Sequence, residues 1–186
     1  MNIWFALPLV AQLALLFALG TVVGGQINRG VYRLAWFPRL IGPWSPPHSD
    51  APPRRWFDRL PVVGWLGLRR EAAIHGAGFW VRPMLIEIAC GAGFAAMYWW
   101  ELQRGLLPPA LRGWVIFDEP IVAQYFSHIV LISLMAVATF IDFDEKTIPD
   151  EITVPGALLG LILAACLPLA ALPIEIGKHT SELQSL

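Results

Sequence analysis

Five carboxylates fall within ten residues: Asp142, Asp144, Glu145, Asp150 and Glu151, with Lys146 among them. The cluster begins directly after an apolar run, Ile121 to Ile141. Asp142 is therefore expected at a membrane–water boundary, where partial desolvation disfavours the charged form of a carboxyl group. A carboxyl that keeps its proton beside one that is ionised can activate a water and protonate a leaving amine. Such a pair sits about 3 Å apart and titrates as one coupled unit. The plainer account of a run of charges is a solvated loop.

Those acids need elements to hold them. Four apolar runs are present: Trp4 to Val23, Met84 to Trp100, Ile121 to Ile141 and Val154 to Pro173. A spanning helix needs about 20 mostly apolar residues, and backbone groups in hydrocarbon must be paired internally, so the runs are expected to be helices. The second can extend back over Phe79 to Val81 if Arg82 snorkels to the interface. The first lacks a basic n-region and reads as a retained helix rather than a signal peptide. Pro149 turns the chain after the third run, and Pro155 suits the first turn of the fourth. The acids thus sit in a tight hairpin between two spanning helices.

Composition agrees. Hydrophobic residues make up 56% and charged residues 15%, with mean hydropathy +0.59, whereas a soluble domain carries about a quarter charged residues. The net charge of −1 gives no field for nucleic acid, and none is expected as a partner. Charge is informative locally. Arg29, Arg33, Arg39, Arg54, Arg55, Arg59, Arg69, Arg70 and Arg82 follow the first run, while the Glu101 to Pro120 loop holds only Arg104 and Arg112. The positive-inside rule places the long first loop in the cytoplasm and the N-terminus outside. The expectation is an all-α membrane protein: a bundle of about four transmembrane helices. Its organisation reads as a first helix over 1–23, an Arg-rich cytosolic loop over 24–83, a three-helix membrane domain over 84–173 and a polar tail over 174–186. The loop can touch anionic lipid without a specific site.

Other residues carry weaker signals. Glu87 lies near the start of the second run, and an intramembrane acid is a functional candidate; a structural partner such as Arg82 or a neighbouring helix is the simpler account. His128, with Gln124 one turn earlier, suits a bond across helices. Gly20 and Gly24 form a small-xxx-small pair, while Gly25 could serve a turn. Cys90 and Cys166 lie in apolar runs and read as packing thiols.

The segment Ile141-Asp142, then Ile148-Pro149-Asp150, Thr153 and Pro155-Gly156, resembles the prepilin peptidase pattern I-D-x-x-x-x-x-I-P-D-x-x-T-x-P-G. Gly24 to Leu34 resembles that family's G-S-F-L-N-V-V-I-Y-R-L, and Asp58 to Leu66 its D-N-I-P-V-L-S-W-L. Arg82 and Glu87 keep the spacing of R-Y-P-L-V-E, with Pro83 shifted by one. The blocks run in family order from about Gly20 to Gly156. The resemblance implies a GxGD-type aspartyl protease of the membrane. Asp142 is then the first catalytic aspartate, Asp150 and Asp144 are supporting acids, and Asn28, Arg82 and Glu87 are structural or substrate-proximal. The implied substrate is a type IV prepilin or pseudopilin, whose N-terminal helix is cut free of its leader at the cytosolic membrane face.

Two departures shape the expectation. The family's zinc-binding C-x-x-C pairs are missing from the first loop, which reads Glu71 to Gly78 where the second pair would fall and offers only His48 and His75. No metal and no other cofactor is expected, neither zinc nor the S-adenosylmethionine of the family's methyl-transfer activity. The second aspartate, in G-x-G-D, is also missing. Gly76-Ala77-Gly78 and Gly91-Ala92-Gly93 are each followed by Phe. The chain is expected to be a truncated product, a split gene or a degenerate homologue. Alone it is expected to be inactive, with a second polypeptide as a partner that completes the site. The alternatives are a non-cutting membrane subunit that binds pilin-like helices, and a transporter fragment using Glu87 and Asp142 for protons or cations.

Overall fold

A computed structural model of the chain describes residues 3–39, 41–104 and 119–166. Among them are seven α-helices and two 3-10 turns, with no strand. A short α1 (Ile3–Ala6) is separated from α2 (Leu9–Leu34) by Pro8. The Pro8 carbonyl starts α2 by accepting from the Ala11 and Gln12 amides at 2.9 and 3.1 Å. The segment after α2 holds a 3-10 turn (Trp56–Arg59), α3 (Val63–Leu68), a second 3-10 turn (Arg69–Glu71) and α4 (Ala72–His75). Three helices follow: α5 (Val81–Arg104), α6 (Glu119–Glu145) and α7 (Asp150–Cys166).

Leu9–Leu34, Val81–Glu101 and Val122–Glu145 are each long and apolar enough to cross a bilayer. The protein is an all-α membrane protein. Of the expected fourth helix, Asp150–Cys166 is described; residues 167–186, with the predicted polar tail, lie outside the described residues, as do 105–118 of the second loop. Cys166 is exposed rather than a buried packing thiol; Cys90 is half-buried.

The first helix is longer than its apolar run. At about 1.5 Å per residue, the 26 residues of α2 reach roughly 39 Å, beyond a hydrocarbon core of about 30 Å. It passes through the expected boundary at Val23 without a turn. The reason is packing. A Cβ on Gly20 would lie 2.6 Å from the Cys90 carbonyl oxygen, and one on Gly24 would lie 2.7 Å from the Glu87 Cα. The two glycines let α2 and α5 touch backbone to backbone, as small-xxx-small pairs do. Gly91 returns the contact, since its Cβ would meet the Phe17 carbonyl oxygen at 2.9 Å.

Two apolar clusters tie the bundle. Leu16, Phe94, Tyr98, Tyr125 and Ile129 fill one end. Ile27, Val31, Ile86, Ile141 and Ile152 fill the other, joining α2, α5, α6 and α7 beside the extra-membrane segment.

Candidate active site

The side chains at the loop-bearing end are placed by Ile141, whose exposure is 0%. An α-helix turns about 100° per residue. With Ile141 pointing into the cluster, Asp144 and Glu145 lie about 60° to one side and 40° to the other. Asp142 lies about 100° round. Both flanking acids are committed. Arg82 Nη1 donates to Asp144 Oδ1 and Oδ2 at 2.7 and 2.9 Å. Glu145 accepts the Trp36 and Phe37 amides at 2.6 and 3.2 Å, capping the chain as it leaves α2. Asp142 is exposed. Neither it nor Asp150 makes a side-chain hydrogen bond or ion pair among the described residues. The coverage expected of Asp142 does not come from the described residues, because Ile141, about 100° away on α6, is the residue that faces α2 and α5.

The turn follows the expected course with one change. Lys146, at φ 58°, ends α6. Its left-handed backbone sends the chain to Pro149, whose carbonyl accepts the Ile152 and Thr153 amides. The helix therefore starts at Asp150, and Pro155 falls in its second turn rather than its first.

Asn28, Glu87 and Trp65 are distant in sequence and meet in one buried network. Glu87 is 2% exposed. Its Oε2 accepts the Val62 amide at 2.5 Å, and its Oε1 accepts Trp65 Nε1 at 2.7 Å and Asn28 Nδ2 at 3.4 Å. Asn28 Nδ2 also donates to the Pro83 carbonyl at 2.8 Å. Val62 sits at φ 63°, a region that costs a β-branched residue roughly 1–3 kcal/mol, and its bond to Glu87 holds it there. Glu87 thus pairs with loop donors, while Arg82 goes to Asp144. Sequence reading named Glu87 and Asn28 without joining them. The signal was there in three separated blocks, but no periodicity links them.

The loop is organised by ion pairs that sequence reading did not assign. Arg54 donates to both Glu71 oxygens at 3.2 Å, and His75 Nε2 lies 3.4 Å from Glu71 Oε2. Asp58, 0% exposed, is bound by the Arg70 guanidinium and by the Arg55 amide at 2.6 Å. Burial alone would push the Asp58 carboxyl up. The Arg55 N–H and the Arg70 guanidinium outweigh it and hold the group below the usual carboxylate range. At the far end of the bundle His128 Nδ1 lies 2.6 Å from Glu101 Oε1, the bond across helices expected of His128, although Glu101 was read as a loop residue.

An apolar groove of about 700 Å³ lies between α5 and α6, lined by Leu85, Ala89, Gly93, Ile132, Ala136 and Phe140 among others. Asp142 is two residues from Phe140, hence about 200° round the helix, on a face it shares with the exposed Met135 and Thr139.

The type IV leader peptidase family matches residues 129–178, which include the Asp142 turn. The chain is 31% identical over 149 residues to the prepilin leader peptidase/N-methyltransferase of Myxococcus xanthus, a match covering 80% of this chain and 39% of that protein. It is 30% identical over 183 residues to the protein of the same name from Neisseria gonorrhoeae, covering 85% and 55%. The Stutzerimonas stutzeri protein of that name is 27% identical over 117 residues, covering 63% and 34%. The chain thus spans well under two thirds of these relatives' length. No solved structure matches it.

Proposed function

The chain belongs to the type IV leader peptidase family, and from that premise we propose that Asp142 supplies one carboxylate of an aspartyl protease that cuts leader peptides from prepilin-like substrates. The observation that carries this reading is the sorting of the acids on α6. Asp144 and Glu145 are tied to Arg82 and to the backbone after α2, and of the three only Asp142, which is exposed, has no side-chain partner among the described residues. A dyad carboxyl must be free to share a proton with a second carboxyl.

In the proposed reaction one carboxylate takes a proton from water, and the resulting hydroxide attacks the scissile carbonyl. The other carboxyl, protonated, donates to the amide nitrogen as the C–N bond breaks. The second carboxylate comes from the G-x-G-D element that this sequence does not contain, on a second polypeptide or a longer chain. Asp150, exposed at the start of α7, would shape the approach to the site. The arginine excess in the segment after α2 supports a bacterial cytoplasmic position for that end of the bundle, with the N-terminus outside. The Arg54–Glu71 pair, with His75, ties the loop together at the place where the family pattern has its second C-x-x-C pair, which supports the expectation of a loop that needs no zinc. A second reading, a member of the family that binds pilin-like helices without cutting them, is favoured by the missing G-x-G-D.

Co-expression with a prepilin, with and without a polypeptide carrying the G-x-G-D helix, tests the reading. Cleavage is expected only with the added polypeptide, and loss of it in Asp142→Asn. Cleavage that survives Asp142→Asn refutes the assignment. No cleavage in any combination supports the non-cutting reading.

A further inference from the structure

We propose that the arginine notch at the loop-bearing end of α2 binds the phosphate of an anionic phospholipid headgroup. Arg29 and Arg33 lie one turn apart on α2, hence on one face. Arg39 is folded back to them by the bond from its amide to the Tyr32 carbonyl at 2.8 Å. All three line a cavity of about 100 Å³. Its outer wall is the segment from Ile41 to Pro46. That wall is fixed, because Arg54 Nη1 donates to the Gly42 and Ser45 carbonyls at 2.6 and 2.7 Å while its other nitrogens hold Glu71.

Arg54, Arg70 and Arg82 each have a carboxylate partner. Among the described residues Arg29, Arg33 and Arg39 have none. Three guanidinium groups gathered at one rim without an anion repel one another, and a phosphate relieves that with charge-assisted, forked hydrogen bonds. Glu87 closes the inner end. Its oxygens are acceptors already engaged by Val62, Trp65 and Asn28, so the depth offers an anion no donor from Glu87 and the arginine rim is the place that does.

The chemistry recognised is a phosphate ester, and the surroundings assign it to lipid. Trp44, on the notch wall, is 62% exposed, and the neighbouring Trp36 and Phe37 are 80% and 71% exposed. Exposed aromatics at the end of a spanning helix mark the headgroup level. The notch therefore opens at the depth where lipid phosphates lie.

The test is native mass spectrometry of the full chain, delipidated in detergent and titrated with phosphatidylglycerol, phosphatidylcholine or inorganic phosphate. Two double variants remove equal charge: Arg33→Gln with Arg39→Gln inside the notch, and Arg55→Gln with Arg69→Gln elsewhere on the loop. The wild type should retain one phosphatidylglycerol per chain. The notch pair should weaken retention roughly a hundredfold, the size of two lost charge-assisted hydrogen bonds, and the other pair less than twofold. Arg39→Gln alone, at an exposed side chain, should lose retention with an unchanged circular dichroism melt. Equal loss in both double variants would show diffuse attraction and overturn the proposal. So would equal retention of phosphatidylcholine, or displacement of the lipid by inorganic phosphate at equal concentration.

Discussion

Replacing Glu87 by alanine should free the loop from the bundle while leaving the helices packed. The side chain accepts from the Val62 amide at 2.5 Å, Trp65 Nε1 at 2.7 Å and, more weakly, Asn28 Nδ2 at 3.4 Å. A buried donor left without an acceptor costs about 1–3 kcal/mol. Two well-placed donors therefore give roughly 2–6 kcal/mol, with about 4 kcal/mol as the middle of that range. Release of Val62 from φ 63° returns roughly 1–3 kcal/mol of backbone strain, about 2 kcal/mol at its middle. The net destabilisation of the α3 region is then about 2 kcal/mol, a factor of roughly 30 in the local opening constant. Hydrogen exchange of the amides at 63–68 reads that constant directly. Glu87→Gln should fall between, since an amide oxygen can accept one donor while its NH2 confronts the other. Exchange at 63–68 that changes less than threefold in Glu87→Ala would refute the claim that this carboxyl holds the loop.

Gly20→Ala should lower the unfolding temperature in detergent, because the new methyl meets backbone on α5 and parts the helices at a cost of about 1–3 kcal/mol. Gly93→Ala is the control: nothing lies within 4 Å of its Cβ position, so the exchange should stabilise by roughly 0.5–1 kcal/mol. Asp58 has a depressed folded pKa, so its contribution is complete above the unfolded carboxylate value and lost as pH falls through the folded one. Tryptic cleavage of the loop should therefore stay slow down to about pH 4, as judged after acid incubation, and Asp58→Asn should remove that acid dependence. Asp142→Asn should shift the unfolding temperature negligibly, since an exposed substitution changes stability by less than about 0.5 kcal/mol.

The helices were legible because hydrophobic runs of about 20 residues have few other solutions in a bilayer. Their ends were not. Asn28, Arg29 and Arg33 are polar, so the apolar run stops at Val23. The helix continues past it because Gly20 and Gly24 hold α2 against α5, and because Asn28 finds its partners in the Pro83 carbonyl and Glu87. Asp142 was singled out by its place at the end of an apolar run and by the resemblance of Asp142 to Gly156, one stretch of chain, to the family pattern. The Glu87 network was not legible, because its carboxyl meets donors 22 to 59 residues away and only packing brings them together. Arg54 and Glu71 were hidden for a simpler reason: a loop ion pair has no period.

The sorting of the acids on α6 also limits how a second carboxylate can reach Asp142. Ile141 and Ile152 are buried in one cluster, so α6 cannot rotate about its axis without exposing them. Arg82 and the amides after α2 hold the same register from two other directions. Asp142 is then fixed on the face of Met135 and Thr139, about 200° from the groove between α5 and α6. A helix lying in that groove has α6 itself between it and the aspartate. On the proposed reading a partner acid would come from the opposite side, across the outer faces of α6 and α7, where Met135, Val154 and Leu158 are exposed. The apolar groove and Asp142 are therefore separate features of the bundle, and the size of the groove is no guide to where the proposed reaction would take place.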